Sequence, residues 1–342
     1  MAIKAKEIAR QLGVSESTFS LVVNGKPGIS AKTRESVLRG IRELGCEHLI
    51  QHAAPPETAC NMIGFVLYKK SGELLGCNSF FPLIMDEIEN AARGAGYCLT
   101  VITIEHSRIQ EQIRYIAEAR CSGFVVFATE MKEDAFPYFE QTGLPWVLFD
   151  NDFISRDVNS VVVNNRQGTY RLVRYLYELG HRKIGYLCSG LDINSFLERR
   201  AYAMAAMQGF GLKNPERYAY TIGYPSERAE QGMAKLLRET PPEKLPTAFL
   251  ADNDLVSVGA MQATLTAGYR VPDDFSFVGF DDRPVCTVVN PKLTTLRLPR
   301  ERFGAEAVMQ LVALIACRFR SCIKVEINGT VIVRESCKRL DV

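Results

Sequence analysis

Four small polar residues, Ser15, Glu16, Ser17 and Thr18, open a short apolar-patterned segment in IARQLGVSESTFSLVVNGKP. At the start of a helix, Glu16 and Ser17 can reach base edges in a DNA major groove. Ser15, Thr18 and the backbone amides beside them can bind phosphates. The competing use is a small helical cap on a larger body, and the pattern alone does not choose between the two. Residue types suited to catalysis are sparse elsewhere. The chain has four histidines and no GxSxG, HExxH, P-loop or GxGxxG motif, so acid–base or nucleotide chemistry has little to work with. His181, in LGHRK after a helical pattern, reads as structural rather than as a general base. His48 and His52 stand four apart without a third ligand nearby, too few for a metal site. None of the ten cysteines forms a CxxC pair, and several sit in apolar runs, which points to reduced core thiols of a cytosolic protein. No enzyme activity, metal or cofactor is expected.

The elements that would position the polar quartet are three short helices over residues 1–45. The first runs over roughly 5–12 and turns inward Ile8, Ala9 and Leu12. The second, roughly 16–23, is capped by Ser15 and buries Phe19, Val22 and Val23. The third, capped by Ser30, runs to Leu44 with Val37, Leu38, Ile41 and Leu44 inward. CEHLIQHAAPPETAC (46–60) then reads as a linker. From residue 62 strand-like runs (62–68, 98–104, 123–128, 146–149, 160–163, 183–188, 218–223, 248–251, 275–280) alternate with helical patterns (81–94, 109–119, 166–179, 196–210, 227–239, 253–267). Such alternation implies parallel sheets covered by helices. At about 280 residues the body exceeds one core, so two lobes are expected. Eight Lys/Arg against five Glu give residues 1–50 a charge of +3. The remainder holds 33 against 34, a basic head on a neutral body, which fits a nucleic-acid-binding head but is common enough by chance that charge alone does not decide. The longest apolar run, LVALIAC (311–317), is too short to span a bilayer. The charged start, MAIKAKEIARQLG, carries no apolar leader, so a cytoplasmic protein is expected.

The segment IKAKEIARQLGVSESTFSLVVNGKPGISAKTRESVLRGIRELG closely resembles the headpiece of the lac repressor (LacI/GalR-type) family. The A–x3–G–V–S–x–x–T core, the NGKP turn, the S-x-x-TR start of the third helix and the closing ELG all stand in register. YLYELGHRKIGYL, FLERR, ADNDLVSVGAM, FSFVGFDD, PKLTTLRLP and VIVRES look like the family's body landmarks, in the family's order. The resemblance covers about 1–50 and 62–336 and implies a helix–turn–helix head (1–45), a hinge (46–61) and a two-lobed periplasmic-binding-protein-like body (62–342). Lobe 1 is placed at about 62–155 plus 293–318, and lobe 2 at about 158–288 plus 323–342. It further implies a homodimer, or a tetramer of two dimers, that binds double-stranded operator DNA and represses transcription in answer to a small-molecule effector. No membrane partner is implied. Asn24, Leu21, Ser30, Lys32, Thr33 and Arg34 complete the DNA-contacting set with Ser15, Glu16, Ser17 and Thr18.

Two departures from the family stand out. Leu21 occupies a recognition-helix position where relatives often carry arginine, the commonest guanine reader, so the operator preference is expected to be unusual. In the hinge, Leu49 replaces the family's leading Asn and Pro55 falls near its minor-groove leucine, so any hinge helix ends by Ala54. Minor-groove insertion is therefore expected to be weak, with Leu49 or Ile50 the only wedges on offer.

For the effector, the resemblance points to Phe80 or Phe81 as an aromatic cover, to Asn194, Ser195 and Arg199 in INSFLER, to Tyr224, and to the pair Asn253 and Asp281. Asp150 closes the strand WVLFD, and the carboxyl ends of strands are where open α/β sheets bind ligands. Asp254 and Asp282 read as structural. Leu298 stands where many relatives have glutamine, so one polar contact is lost. Carboxylates, an amide and an arginine fork with an aromatic cover suit a sugar. A purine or nucleoside corepressor is the alternative, with Phe80 and Tyr224 sandwiching the base. A solute-binding protein or enzyme on the same lobes is disfavoured by residues 1–45.

Overall fold

The computed structural model describes residues 5–23, 28–44, 62–76, 82–316 and 321–341. The expectations for Asn24, the hinge 46–61 with its two histidines, and Phe80 and Phe81 lie outside the described residues. The chain divides into two units, Met1–Asn61 and Met62–Val342.

The first unit is three helices: α1 (Ala5–Gln11), α2 (Glu16–Val23) and α3 (Ala31–Glu43). Gly13 takes φ +68° between the first two, a turn conformation that side chains resist. Ser15 Oγ accepts from Thr18 N at 3.1 Å, and Ser30 Oγ from Thr33 N at 3.1 Å, so both serines cap the helices they precede. Ile8, Ala9, Phe19, Val22, Val23, Val37 and Ile41 form one buried core, with Leu12, Val14, Ile29 and Leu38 packed against it. Leu44 departs from expectation. It lies one residue past α3 and is 41% exposed, because the helical period that would turn it inward has ended.

The second unit holds two six-stranded sheets. The first is ordered β11-β5-β4-β3-β1-β2 and the second β12-β10-β9-β8-β6-β7. The strands are β1 (Met62–Lys69), β2 (Cys98–Glu105), β3 (Phe124–Phe127), β4 (Trp146–Phe149), β5 (Ser160–Val163), β6 (Ile184–Cys188), β7 (Ala219–Thr221), β8 (Ala248–Ala251), β9 (Ser276–Asp281), β10 (Thr294–Arg297), β11 (Lys324–Ile327) and β12 (Thr330–Ile332). Every pairing is parallel except β10 with β12, so each sheet gathers its carboxyl ends along one edge. The inner strands β3, β5 and β8 are buried at every position, which explains their unbroken apolar spelling.

The lobe boundaries differ from the expected ones. β5 pairs with β4 and β11 with β5, so 160–163 and 324–327 belong to the first lobe; β10 pairs with β9, so 294–297 belongs to the second. The chain thus crosses between lobes just after β5, β10 and β11. Periodicity cannot show this, because it marks a strand without naming its hydrogen-bonded neighbour. The helix Arg300–Ile315, which also escaped the sequence pattern, packs Phe303, Ala307, Val308 and Leu311 on the first lobe with Ile84 and Ile88. Among the described cysteines all are free; Cys121, Cys188 and Cys286 are buried, whereas Cys98 and Cys322 are exposed rather than in the core. Among the described residues no helix is long and apolar enough to cross a membrane.

Candidate functional site

In the head, apolar packing turns Phe19, Val22 and Val23 of α2 inward and leaves Glu16 and Ser17 at its exposed start. Ser15 Oγ also lies 2.8 Å from both Ser17 Oγ and Thr18 Oγ1, a hydroxyl cluster at the positive end of the helix. Ser30 Oγ and Thr33 Oγ1 repeat the arrangement at 2.7 Å at the start of α3, beside Arg34, with Lys32 in the same turn. Leu21 is half-buried. A base-reading role for Glu16 predicts that Glu16→Ala changes the preferred base at one symmetric operator position, at about 1–3 kcal/mol. Arg34→Ala, if Arg34 grips phosphate, weakens all sequences alike. Selected-site sequencing separates the two outcomes; an unchanged base preference for Glu16→Ala would make Glu16 mere surface.

In the body, a cavity opens between the carboxyl ends of the two sheets. Phe127, Thr129 and Asp150 contribute from the first lobe, and Ser195, Phe196, Arg199, Asp281 and Arg283 from the second, with Leu74 and Leu298 completing the wall. About 460 Å³ of atom-free space lies here, part of it open to solvent. Asp150 follows β4 with φ +64°, Asp281 ends β9 with φ +108°, and Asp282 has φ +53°. A left-handed backbone is uncommon outside glycine, and its recurrence at strand ends marks strain held by the surroundings at a functional place.

Arg199 organises the second lobe's side of the cavity. Its Nε donates to Asn165 Oδ1 at 2.9 Å, and its Nη1 donates to the Asp252 carbonyl at 2.7 Å and to Asp281 Oδ1 at 3.4 Å. The guanidinium lies 3.6 Å from the centre of the Phe280 ring, a cation–π contact in a nearly dry setting. Arg283 donates to Asp281 Oδ2 from Nε at 3.3 Å and from Nη2 at 3.2 Å. All three contacts to Asp281 are long, so its carboxylate keeps capacity to accept from a ligand. Asp150 accepts from Thr129 Oγ1 at 2.6 Å, but burial dominates and pushes its pKa up to about 6. Burial likewise lifts Asp254 to about 7, helped by the nearby Asp281 charge; Asp254 accepts from Thr295 Oγ1 and from the Arg283 amide.

Three expected ligand residues are not among those that line the cavity. Tyr224 is buried with Leu187 and Ile222 in the second lobe's core, close enough to the lining Arg283 to act on its charge. Asn253 is fully buried and spends its side-chain oxygen on the Val256 amide at 3.1 Å, as cap of the helix Asp254–Thr266. Asn194 ties the lobes together at the rim, donating to Asn151 Oδ1 at 2.9 Å and accepting from Lys132 Nζ at 3.3 Å. His181 is buried, with Nδ1 2.9 Å from Thr247 Oγ1, and burial lowers its pKa to about 4. The cavity's unforeseen members are Leu74, Phe127, Thr129, Phe196 and Arg283. Only Arg283, directly after GFDD, carried a sequence signal, a cation beside paired carboxylates.

A two-lobed body with facing strand ends, joined to a separate helix–turn–helix unit, defines a ligand-responsive DNA-binding regulator. The description "Bacterial regulatory proteins, lacI family" matches residues 4–46, and "Periplasmic binding protein-like domain" matches 173–337, together more than half of the chain. The chain thus carries a lacI-family DNA-binding head and a periplasmic-binding-protein-like domain, the pairing of a transcriptional repressor. It is 26% identical to the HTH-type transcriptional repressor PurR of Mannheimia succiniciproducens, covering 98% of both chains. It is 29% identical to that of an Escherichia coli O139:H28 strain, covering 97% of this chain and 96% of the other. Among solved structures, the transcriptional regulator CelR–cellobiose complex superposes with TM-score 0.71 at 25% identity, covering 98% and 100%. The lac repressor dimer bound to operator and an anti-inducer shares the fold, with TM-score 0.70 at 23% identity, over 99% and 100%.

Proposed function

We propose that the chain is a cytoplasmic, homodimeric repressor whose operator affinity is set by a small polyhydroxylated ligand, a sugar, held between the lobes by Asp150, Ser195, Arg199 and Asp281. The observation that carries this reading is that one cavity joins a strand-end carboxylate from each sheet to a buried guanidinium. Carboxylates accept from adjacent hydroxyls, Arg199 adds a fixed fork, and Phe127 and Phe196 offer apolar surface to a ring face. The relatives named PurR support a second reading, a purine corepressor stacked on the same aromatic rings. A thermal-shift screen of sugars and nucleobases on the full chain tests both. The bound class stabilises by about 2.7 kcal/mol at a hundred times its dissociation constant. Stabilisation by nucleobases alone rejects the sugar.

The buried carboxylates give the site a pH dependence. A carboxyl whose folded pKa is raised binds its proton more tightly in the folded state, so folding stability from Asp150 and Asp254 falls as pH rises from their unfolded range through about 6 and 7. A hydroxyl donates more strongly to ionised Asp150 than to the neutral acid, whose carbonyl oxygen still accepts, so ligand affinity runs the other way. We expect binding weaker below the Asp150 pKa than above it, by up to about tenfold at one unit below, as calorimetry across that range would record. A flat profile would remove Asp150 from the contact set.

A further inference from the structure

A second, larger and more open cavity lies behind the first, and Arg283 and Leu298 form the wall between them. We propose that it is a second ligand site, for a phosphate group or another tetrahedral dianion. Four arginines line it (Arg283, Arg297, Arg300 and Arg334), and Asp282 is the carboxylate at their centre.

That carboxylate is already used up. Arg297 Nε donates to Asp282 Oδ2 at 2.5 Å, and Arg334 Nη2 to Oδ1 at 2.6 Å. Arg300 has only the Asp282 backbone carbonyl, reached by its Nη2. Its Nε is enclosed and out of an ion's reach, but its Nη1 meets no acceptor among the described residues, and no carboxylate there pairs with the side chain. An oxyanion in the cavity supplies a charge-assisted partner for that guanidinium edge. The helix Arg300–Ile315 begins in the same wall, and its N-cap, Pro299, makes no side-chain cap. The partial positive charge of its first turn therefore adds to the arginines. Arg300 comes from the first lobe and Arg297 and Arg334 from the second, so an occupant bridges the lobes. Glu87 and Glu301 line the cavity too and oppose an anion, which gives the test its sign.

The test is a titration of the full chain with inorganic phosphate, chloride being adjusted to hold ionic strength constant, read by calorimetry and thermal shift. Saturable binding with a rise in melting temperature is expected. Arg300→Gln should weaken it by at least about tenfold, the scale of one lost charge-assisted contact. Glu301→Gln should tighten it several-fold. Arg297→Gln, at a half-exposed side chain whose buried partner Asp282 keeps Arg334, carries the same expectation as Arg300→Gln should that variant fail to fold. A response no larger than that of chloride overturns the proposal. So does saturable binding that neither arginine variant weakens.

Discussion

Deleting residues 1–45 is expected to lower affinity for operator DNA by at least about a thousandfold, to the level of non-specific binding. The head has its own buried core and forms a separate unit, so its loss leaves the two sheets and the cavity between them whole. Ligand stabilisation of the truncated chain is therefore retained. In the full chain, affinity is expected to fall steeply with salt, the result of counterion release if the starts of α2 and α3 contact phosphates as proposed. A gel-shift titration over a range of salt checks both points. A truncated chain that shifts the same DNA with unchanged affinity would remove the head from recognition.

Much of this architecture is legible in the residues. Local chemistry showed itself best: Ser15 and Ser30 cap the helices they precede, and the apolar runs from 62 to 280 are strands. What was not legible depends on partners far along the chain. SVVV at 160–163 reads the same in either lobe, and only pairing with β4 and β11 assigns it. Asn253 and Tyr224 were plausible ligand groups by type and place. A helix start takes the Asn253 side-chain oxygen, leaving its buried Nδ2 without a partner among the described residues, and a core layer holds the Tyr224 ring, both tertiary facts. Thr129 and Phe127 follow or end an ordinary buried strand, and nothing in their neighbours announces a cavity.

The second large effect concerns Arg199. Replacing it by alanine leaves the Asp281 carboxylate with one guanidinium, and strips a donor from Asn165 and from the Asp252 carbonyl. Breaking a buried pair from one side costs about 3–5 kcal/mol, so urea unfolding of the body should shift by that amount. The loss arises because the remaining charge stays buried, since Asp281 is 5% exposed. Asp281→Asn leaves two buried guanidiniums, Arg199 and Arg283, without this carboxylate and turns an amide NH2 toward one of them, so it should cost at least as much, about 3–5 kcal/mol, while removing the charge that would receive ligand hydroxyls. A change below about 1 kcal/mol for Arg199→Ala would show that water replaces the guanidinium at little cost.

The coupling of cleft to operator is tested most directly by operator affinity of the full chain with and without the small molecule that stabilises it most. The measurement is repeated on Asp281→Asn at matched folding. Saturating ligand is predicted to change wild-type operator affinity by about 5- to 150-fold, the usual range of coupling between distant sites, and to leave the variant's affinity unchanged. Equal wild-type affinity with and without bound ligand, or the same response in the variant, would contradict control through this cleft.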